Sequence, residues 1–289
     1  MLVADNWKEY KILDMANGEK LETWGKYKFL RPDPQIIWTN KNNSDIWNNI
    51  DAHYHRNNKG GGYWEYKKNI PETFVINYKD LKFKIGLMGF KHTGLFPEQA
   101  ANWDYFIQKI KNANRPIKIL NLFAYTGGAT VACSYAGASV VHVDSSKGMV
   151  SWAKDNIKLS GLENNEVRFI VDDCVKFVKR EIRRGNKYDA IIMDPPSYGR
   201  GSNGEVWDIE KDLYPLLELC TELLSDNPLF FQINSYTTGL PMSVLNAVLK
   251  LTVGQKYNGK INYDEIGLPM EKSDLILPCG VYARWESND

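Results

Sequence analysis

The chain has 289 residues, 43% of them hydrophobic and 25% charged, enough apolar material for one large globular domain or two smaller ones and too much for a disordered chain. Lys and Arg (36) balance Asp and Glu (35) to a formal charge of +1, so no global positive field draws the molecule onto nucleic acid, and any such binding must be local. Cys133, Cys174, Cys220 and Cys279 form no C-x-x-C pair, which argues against a thiolate zinc site or a disulfide framework and for reduced thiols. The opening "MLVADNWKEYK" carries charges where an apolar leader core would sit, and no apolar run of ~18 residues occurs, so a cytoplasmic protein with no membrane partner is expected.

Residues 1–92 carry short apolar runs punctuated by Gly, Pro and Asn, which predicts a small β-rich domain. "TFVINY" and "LKFKIGL" predict a hairpin: Phe74, Ile76 and Tyr78 alternate on one strand, Leu81, Phe83 and Ile85 on the next, with Lys79 and Asp80 at the turn. The stretch "HYHRNNKGGGYWEYKK" has the aromatic and basic residues that stack bases and hold phosphates, but its composition is read first as a solvated loop. Within it, His53 and His55 make an H-x-H pair, yet no acid or third histidine follows at a spacing that completes a metal site, so no metal is expected.

From residue 93 the rhythm changes. Trp103, Phe106, Ile107 and Ile110 recur at helical spacing, and beyond them strands and helices alternate: "IKILNLFAY", "SVVHVD", "VRFIVDD", "YDAIIMDPP" and "LFFQINSY" each precede a helical pattern. Apolar strands alternating with helices predict an α/β doubly wound, Rossmann-like parallel sheet covered on both faces, over residues 93–289.

In such a sheet ligands bind beyond the carboxyl ends of the strands, so the strand ends belong together. The first ends in "NLFAYTGGAT", where Gly127 and Gly128 can adopt angles other residues resist and admit a ligand close to the main chain. The second ends at Asp144, 16 positions after Gly128, about where such folds place an acid for ribose hydroxyls. The third ends at Asp172 and Asp173, the fourth at Asp194-Pro195-Pro196. A single terminal Asp is often only a helix cap; four strand ends in order are a site. "YTGGAT" is not G-x-G-x-x-G, which argues against a nicotinamide or flavin enzyme.

"LNLFAYTGGATVA", "VDSSKGMVSWAKDN", "FIVDDCVKFV" and "IIMDPPSYGRG" resemble the successive motifs of class I S-adenosylmethionine-dependent methyltransferases. The subgroup resembled is the ribosomal RNA large-subunit methyltransferases with an N-terminal β-rich domain, whose entry into the catalytic domain "GFKHTGLFPEQAANW" also resembles. The resemblance covers roughly residues 86–285 and implies a seven-stranded sheet ending in an antiparallel hairpin, which "INYDEIGL" and "GVYARW" would supply. It implies S-adenosyl-L-methionine as cofactor, its methionine part beside Ala124, Tyr125, Thr126, Gly127 and Gly128, its ribose on Asp144 with Ser145 adjoining, and its adenine amino group on Asp173 with Asp172 near. Asp194 would face the transfer centre, and Gln99 matches the family glutamine that lines the same pocket.

The nucleophile decides the subclass. Methylation at carbon 5 of a pyrimidine needs a cysteine thiolate that first adds to the ring. In the cytosine-methylating relatives that thiol follows the fifth strand, where this chain reads "INSYTTGL" with Tyr236 in its place. A ring nitrogen or exocyclic amine needs no thiolate. Asp194 and the Pro195 carbonyl can accept from an amino group, the prolines Pro195 and Pro196 fix the turn and leave carbonyls free, and Tyr198 can stack on the base. The expectation is methyl transfer to a nitrogen of a ribosomal RNA base, with residues 1–92 as a candidate RNA clamp and the glycine-rich "GRGSNGEVW" as either a segment that closes over the substrate or an ordinary surface loop. A small-molecule or protein substrate on the same fold, or a non-catalytic RNA-binding assembly factor, are the competing readings.

Overall fold

A computed structural model describes the chain apart from residues 43, 58–60, 88, 90, 202–203 and 289. It divides into two units: Leu2–Ala101 with Ile266–Cys279, and Asn102–Glu265 with Met1 and Gly280–Asp289.

The first unit is built of strands. β1 is Leu2–Val3; β2 (Tyr10–Ala16), β3 (Glu19–Trp24), β4 (Tyr27–Pro32), β5 (Ala52–Arg56) and β6 (Gly62–Tyr66) form a five-stranded sheet in sequence order. β7 (Thr73–Tyr78) and β8 (Leu81–Gly86) pair as the expected hairpin, Tyr78 opposite Leu81, with Lys79 taking the positive φ of the turn. The stretch read as a solvated loop is instead mostly strand: β5 and β6 pair antiparallel from Ala52↔Tyr66 to Arg56↔Gly62. Its composition hid a period of two. Tyr54 and Trp64 face inward with ring centroids 5.4 Å apart, while His53, His55, Tyr63 and Glu65 occupy the other face. Ile266–Cys279 returns to this unit, where Glu271 N–H donates to Ile12 O at 2.8 Å.

The second unit holds α1 from Asn102 onward (Ala100–Asn112), β9 (Lys118–Leu122), α2 (Gly128–Tyr135), β10 (Ser139–Asp144), α3 (Lys147–Leu159), β11 (Val167–Val171), α4 (Cys174–Arg183), β12 (Ala190–Met193), β13 (Tyr198–Arg200), β14 (Val206–Asp208), α5 (Ile209–Glu222), β15 (Phe230–Ser235), α6 (Met242–Leu251) and α7 (Val253–Lys256). β16 (Gly259–Pro269) and β17 (Ile276–Ser287) complete the sheet. Its order is β16-β17-β15-β12-β9-β10-β11, parallel from β15 to β11, with β17 antiparallel to β15. These are the seven strands expected; an eighth, β1, adds at the far end of β16 through Leu2↔Ile266 and Val3↔Gly267.

The parallel strands are buried because helices cover both faces, which is why "AIIM" and "FFQINS" have no exposed position. Leu120, Val141, Ile191 and Phe231 meet Phe177, Leu217 and Leu245 on one side. On the other, Phe106 of α1 stacks on Phe230 of β15, ring centroids 5.3 Å apart. Helix starts are set by side-chain caps: Ser146 Oγ accepts from Met149 N–H, Asp173 Oδ1 from Lys176 N–H and Asp208 Oδ1 from Glu210 N–H. The "GRGSNGEVW" segment, read as a closing or surface loop, is for the most part the β13–β14 ladder, Gly199 opposite Trp207 and Arg200 opposite Val206; Ser202 and Asn203 lie outside the described residues. Gly201 N–H donates to Glu205 O at 2.8 Å.

Candidate active site

The loop after β9 is bent by three left-handed residues in alternation: Phe123 (φ 52°), Tyr125 (49°) and Gly127 (83°). For Phe and Tyr that conformation is costly and persists only where surrounding contacts over-determine it. Those contacts are present. Tyr125 N–H donates to Asp144 Oδ2 (2.9 Å), Ala124 N–H to Val143 O (3.1 Å), and the buried Asn156 holds Thr126 O with its Nδ2 (2.8 Å). The two glycines matter for a reason other than ligand access. A Cβ on Gly127 would come within 2.9 Å of Ala153 Cβ, and one on Gly128 within 2.7 Å of Trp103 Cζ2, so α2 and its entry can lie this close to α3 and α1 only without side chains.

Asp144 ends β10 half-buried. Its Oδ2 takes the Tyr125 N–H and its Oδ1 the Ser146 N–H at 2.8 Å, leaving a lone pair on each oxygen. Burial raises its pKa, against the pull of the Ser146 and Tyr125 amides. Ser145, beside it, is exposed. Asp172 N–H donates to Asp144 O (3.1 Å), which places the second and third strand ends side by side. Asp172 accepts the Asp173 N–H on Oδ1 and an Arg180 guanidinium hydrogen on Oδ2, so it is ion-paired. Asp173 caps α4 with one oxygen, and the other has no partner among the described residues.

At the fourth strand end Asp194 is half-buried, Pro195 buried, Pro196 exposed and Tyr198 55% exposed at the start of β13. The carbonyl of Pro196 is not free, as the sequence suggested; it accepts the Trp207 indole N–H at 2.7 Å. Trp207 in turn lies against Phe123, ring centroids 4.9 Å apart, and Phe123 N–H points at Cys174 Sγ (3.3 Å). One chain of contacts therefore ties the first, third and fourth strand ends. Ser197 Oγ, 2.7 Å from Thr237 Oγ1, adds the end of β15. The roles of Trp207 and Asn156 escaped the sequence reading because each reaches the loop after β9 from an element distant in the chain. Gln99 is buried in the turn Pro97–Gln99 and counts with the other unit.

Behind the loop, Thr130 Oγ1 accepts from Asn121 Nδ2 (3.0 Å) and lies 2.9 Å from His142 Nδ1. Burial pushes His142 down to about 3, so it is neutral in the native protein. Because the unfolded chain binds that proton below about pH 6.5 and the native one does not, this contribution is full above pH 6.5 and is lost as pH falls towards 3. Between pH 7.5 and 5.0 it amounts to about 2 kcal/mol. The imidazole nitrogen shifts of His142 should stay those of a neutral ring at pH 5.0, and His142→Asn should flatten the loss of unfolding free energy over that interval by a similar amount; a ring that titrates near pH 6 contradicts both.

The donor set fits an adenosyl cofactor: a carboxylate with two spare lone pairs at the second strand end, one with a free oxygen at the third, and a sharply bent backbone at the first. This is the doubly wound fold, with these acids at the carboxyl edge of the sheet. Residues 38–239 match the family model of S-adenosylmethionine-dependent methyltransferases, and the chain belongs to that family. It is 34% identical over 194 residues, 66% of its own length, to a ribosomal RNA large subunit methyltransferase K/L of Shewanella frigidimarina, and spans about a quarter of that relative (25%). A solved SAM-dependent methyltransferase from Agrobacterium tumefaciens is 34% identical, with a TM-score of 0.94 over 99% of this chain and 92% of that one. The solved methyltransferase SMU.776, complexed with S-adenosylhomocysteine, shares the fold at 21% identity, TM-score 0.75, over 97% of this chain and 76% of that one. S-adenosylmethionine is the cofactor after which that family is described, and the donor set above fits its adenosyl part. Among the described residues no helix is long and apolar enough to cross a membrane.

Proposed function

We propose that this chain methylates a nitrogen of a ribosomal RNA base. The observation that carries the choice of nitrogen is the state of the thiols. Cys133, Cys174 and Cys220 are buried and Cys279 half-buried, and burial raises the pKa of all four, so none offers the accessible thiolate that carbon-5 chemistry needs. After β15 the corresponding place holds Tyr236, half-buried with its ring over Gly280, where an added Cβ would come within 2.9 Å of it. The ribosomal RNA substrate in the name of the Shewanella relative supports RNA as the acceptor.

In this reading the backbone of Ala124 to Gly128 lies along the methionine part of the cofactor, and Asp144 and Ser145 hold the ribose. Asp173 takes the adenine amino group, with Asp172, paired to Arg180, near it. The sulfonium methyl is already activated, so the protein's work is alignment and exclusion of water. Asp194 and the Pro195 carbonyl orient the amino group, and the exposed ring of Tyr198 stacks on a flipped or single-stranded base. The β5–β6 hairpin, with exposed Tyr63, Tyr66, Arg56, Lys67 and Lys68, is the candidate clamp.

The test is incubation with methyl-labelled cofactor and ribosomal RNA from a strain lacking the gene, followed by mass-spectrometric mapping. Label on a base nitrogen is expected. Label on carbon 5 refutes the mechanism, and label confined to small molecules or protein refutes the substrate, an outcome the near-neutral charge of +1 keeps open. Asp194→Asn should reduce transfer by about 100-fold through lost orientation while cofactor affinity stays within a few-fold; loss of both would assign Asp194 to cofactor binding instead.

A further inference from the structure

We propose that His53, His55 and Glu65 form a binding site for one borderline divalent metal ion, zinc being the reference, with Glu19 as its fourth ligand. Strand periodicity puts His53 and His55 on one face of β5, their ring centroids 3.9 Å apart. The antiparallel register sets Glu65 of β6 opposite His53 and Tyr63 opposite His55. Among the described residues these three form a group whose ligand atoms all lie within 4.8 Å of one another. The acid that no sequence spacing supplied comes across the hairpin.

The distances suit a small ion. His55 Nε2 is 2.9 Å from Glu65 Oε2, and His53 Nε2 is 2.6 Å from Glu19 Oε1. A tetrahedral zinc ion with bonds of 2.0–2.1 Å separates its ligand atoms by about 3.3 Å, within the span these atoms already cover. An ion on His53 Nε2 has the Glu19 oxygen beside it, and two carboxylates neutralise its charge. All four side chains are partly exposed, between 19% and 41%, so an ion has an entry path. Tyr63 lies nearly parallel to the His55 ring at 5.2 Å and limits its swing.

The ion would fasten an edge. β6 is the last strand of the five-stranded sheet, and Glu19 opens β3, two strands inward from β5. Bound metal therefore ties β3, β5 and β6 through side chains. The competing arrangement is two separate histidine–carboxylate pairs, with Lys67 holding Glu65 as well. The Lys67 ammonium and a metal ion compete for the same carboxylate, so the two arrangements respond oppositely to its removal.

The experiment titrates zinc chloride into the chelator-stripped full chain by calorimetry and repeats it with cobalt(II), followed by visible absorption. One equivalent bound, a tetrahedral cobalt spectrum without sulfur charge transfer, about 100-fold weaker binding in His53→Ala/His55→Ala and in Glu65→Gln, and tighter binding in Lys67→Ala are expected. The variants' far-UV spectra and S-adenosylmethionine affinities check their fold. Absence of stoichiometric binding to the wild type, unchanged binding in both ligand variants, or a sulfur band pointing to Cys279 overturns the site.

Discussion

Asp144→Ala is expected to weaken S-adenosylmethionine binding by about 100-fold or more, measured by calorimetry. Two hydroxyl-to-carboxylate hydrogen bonds at about 1.5–3 kcal/mol each set that scale. The same carboxylate also holds the bent loop, accepting from Tyr125 N–H at 2.9 Å and Ser146 N–H at 2.8 Å, and the alanine variant leaves both amides without it. With Phe123 and Tyr125 in left-handed conformations, the loop has stored strain to release when that acceptor goes. Asp144→Asn separates the two contributions. It retains size and one acceptor but turns an NH2 group towards one of the two backbone amides, so it should lose most of the affinity at little cost to global stability. If either variant binds within threefold of the wild type, the ribose role passes to another residue.

The strand-end acids were legible because burial and position act locally: an apolar run that must end at the sheet edge delivers its last residue there, and Asp144, Asp172, Asp173 and Asp194 follow from that alone. What the acids accept from was not legible. The cap by Asp173 and the pairing of Asp172 with Arg180 depend on which of two adjacent acids starts the helix, and both readings fit the sequence. Nor does a sequence announce that Phe123 and Tyr125 take positive φ, since neither residue favours it; tertiary contacts impose it. The glycines drew attention for their freedom, yet the close approaches of Ala153 and Trp103 belong to helices elsewhere in the chain. The acid beside the H-x-H pair was hidden for the same reason. A search along the sequence looks for an acid at a fixed spacing, whereas the hairpin register brings Glu65 from the neighbouring strand.

A second large effect is expected in the N-terminal unit, where Arg31→Met should lower stability by about 3–5 kcal/mol, the usual cost of leaving a buried charge without its partner. Glu22 is fully buried on β3. Arg31 donates to it from Nε at 2.6 Å and from Nη2 at 2.9 Å, Tyr10 OH donates at 2.5 Å, and Lys20 stands 3.9 Å away. Burial alone would raise the carboxyl pKa; Arg31 and Lys20 outweigh it and hold Glu22 at about 2. A carboxylate depressed in this way contributes stability above its unfolded value near 4.5 and loses it as pH falls towards 2. The depressed carboxyl therefore makes about 3 kcal/mol of acid-sensitive stability, to which Arg31, Lys20 and Tyr10 all contribute and which Arg31→Met diminishes at pH 7. In a chain of this size that corresponds to roughly 10 °C in the thermal midpoint. Arg31 also lies over the buried Trp24 ring, 5.2 Å from its centroid, so tryptophan fluorescence should follow the loss. Replacing both partners, Glu22→Met with Arg31→Met, should restore part of the deficit because no buried charge is then stranded. A single variant that melts within 2 °C of the wild type would show that Tyr10 and Lys20 suffice to hold Glu22, and that Arg31 serves chiefly to bind the Lys91 carbonyl, to which its Nη1 donates at 2.9 Å.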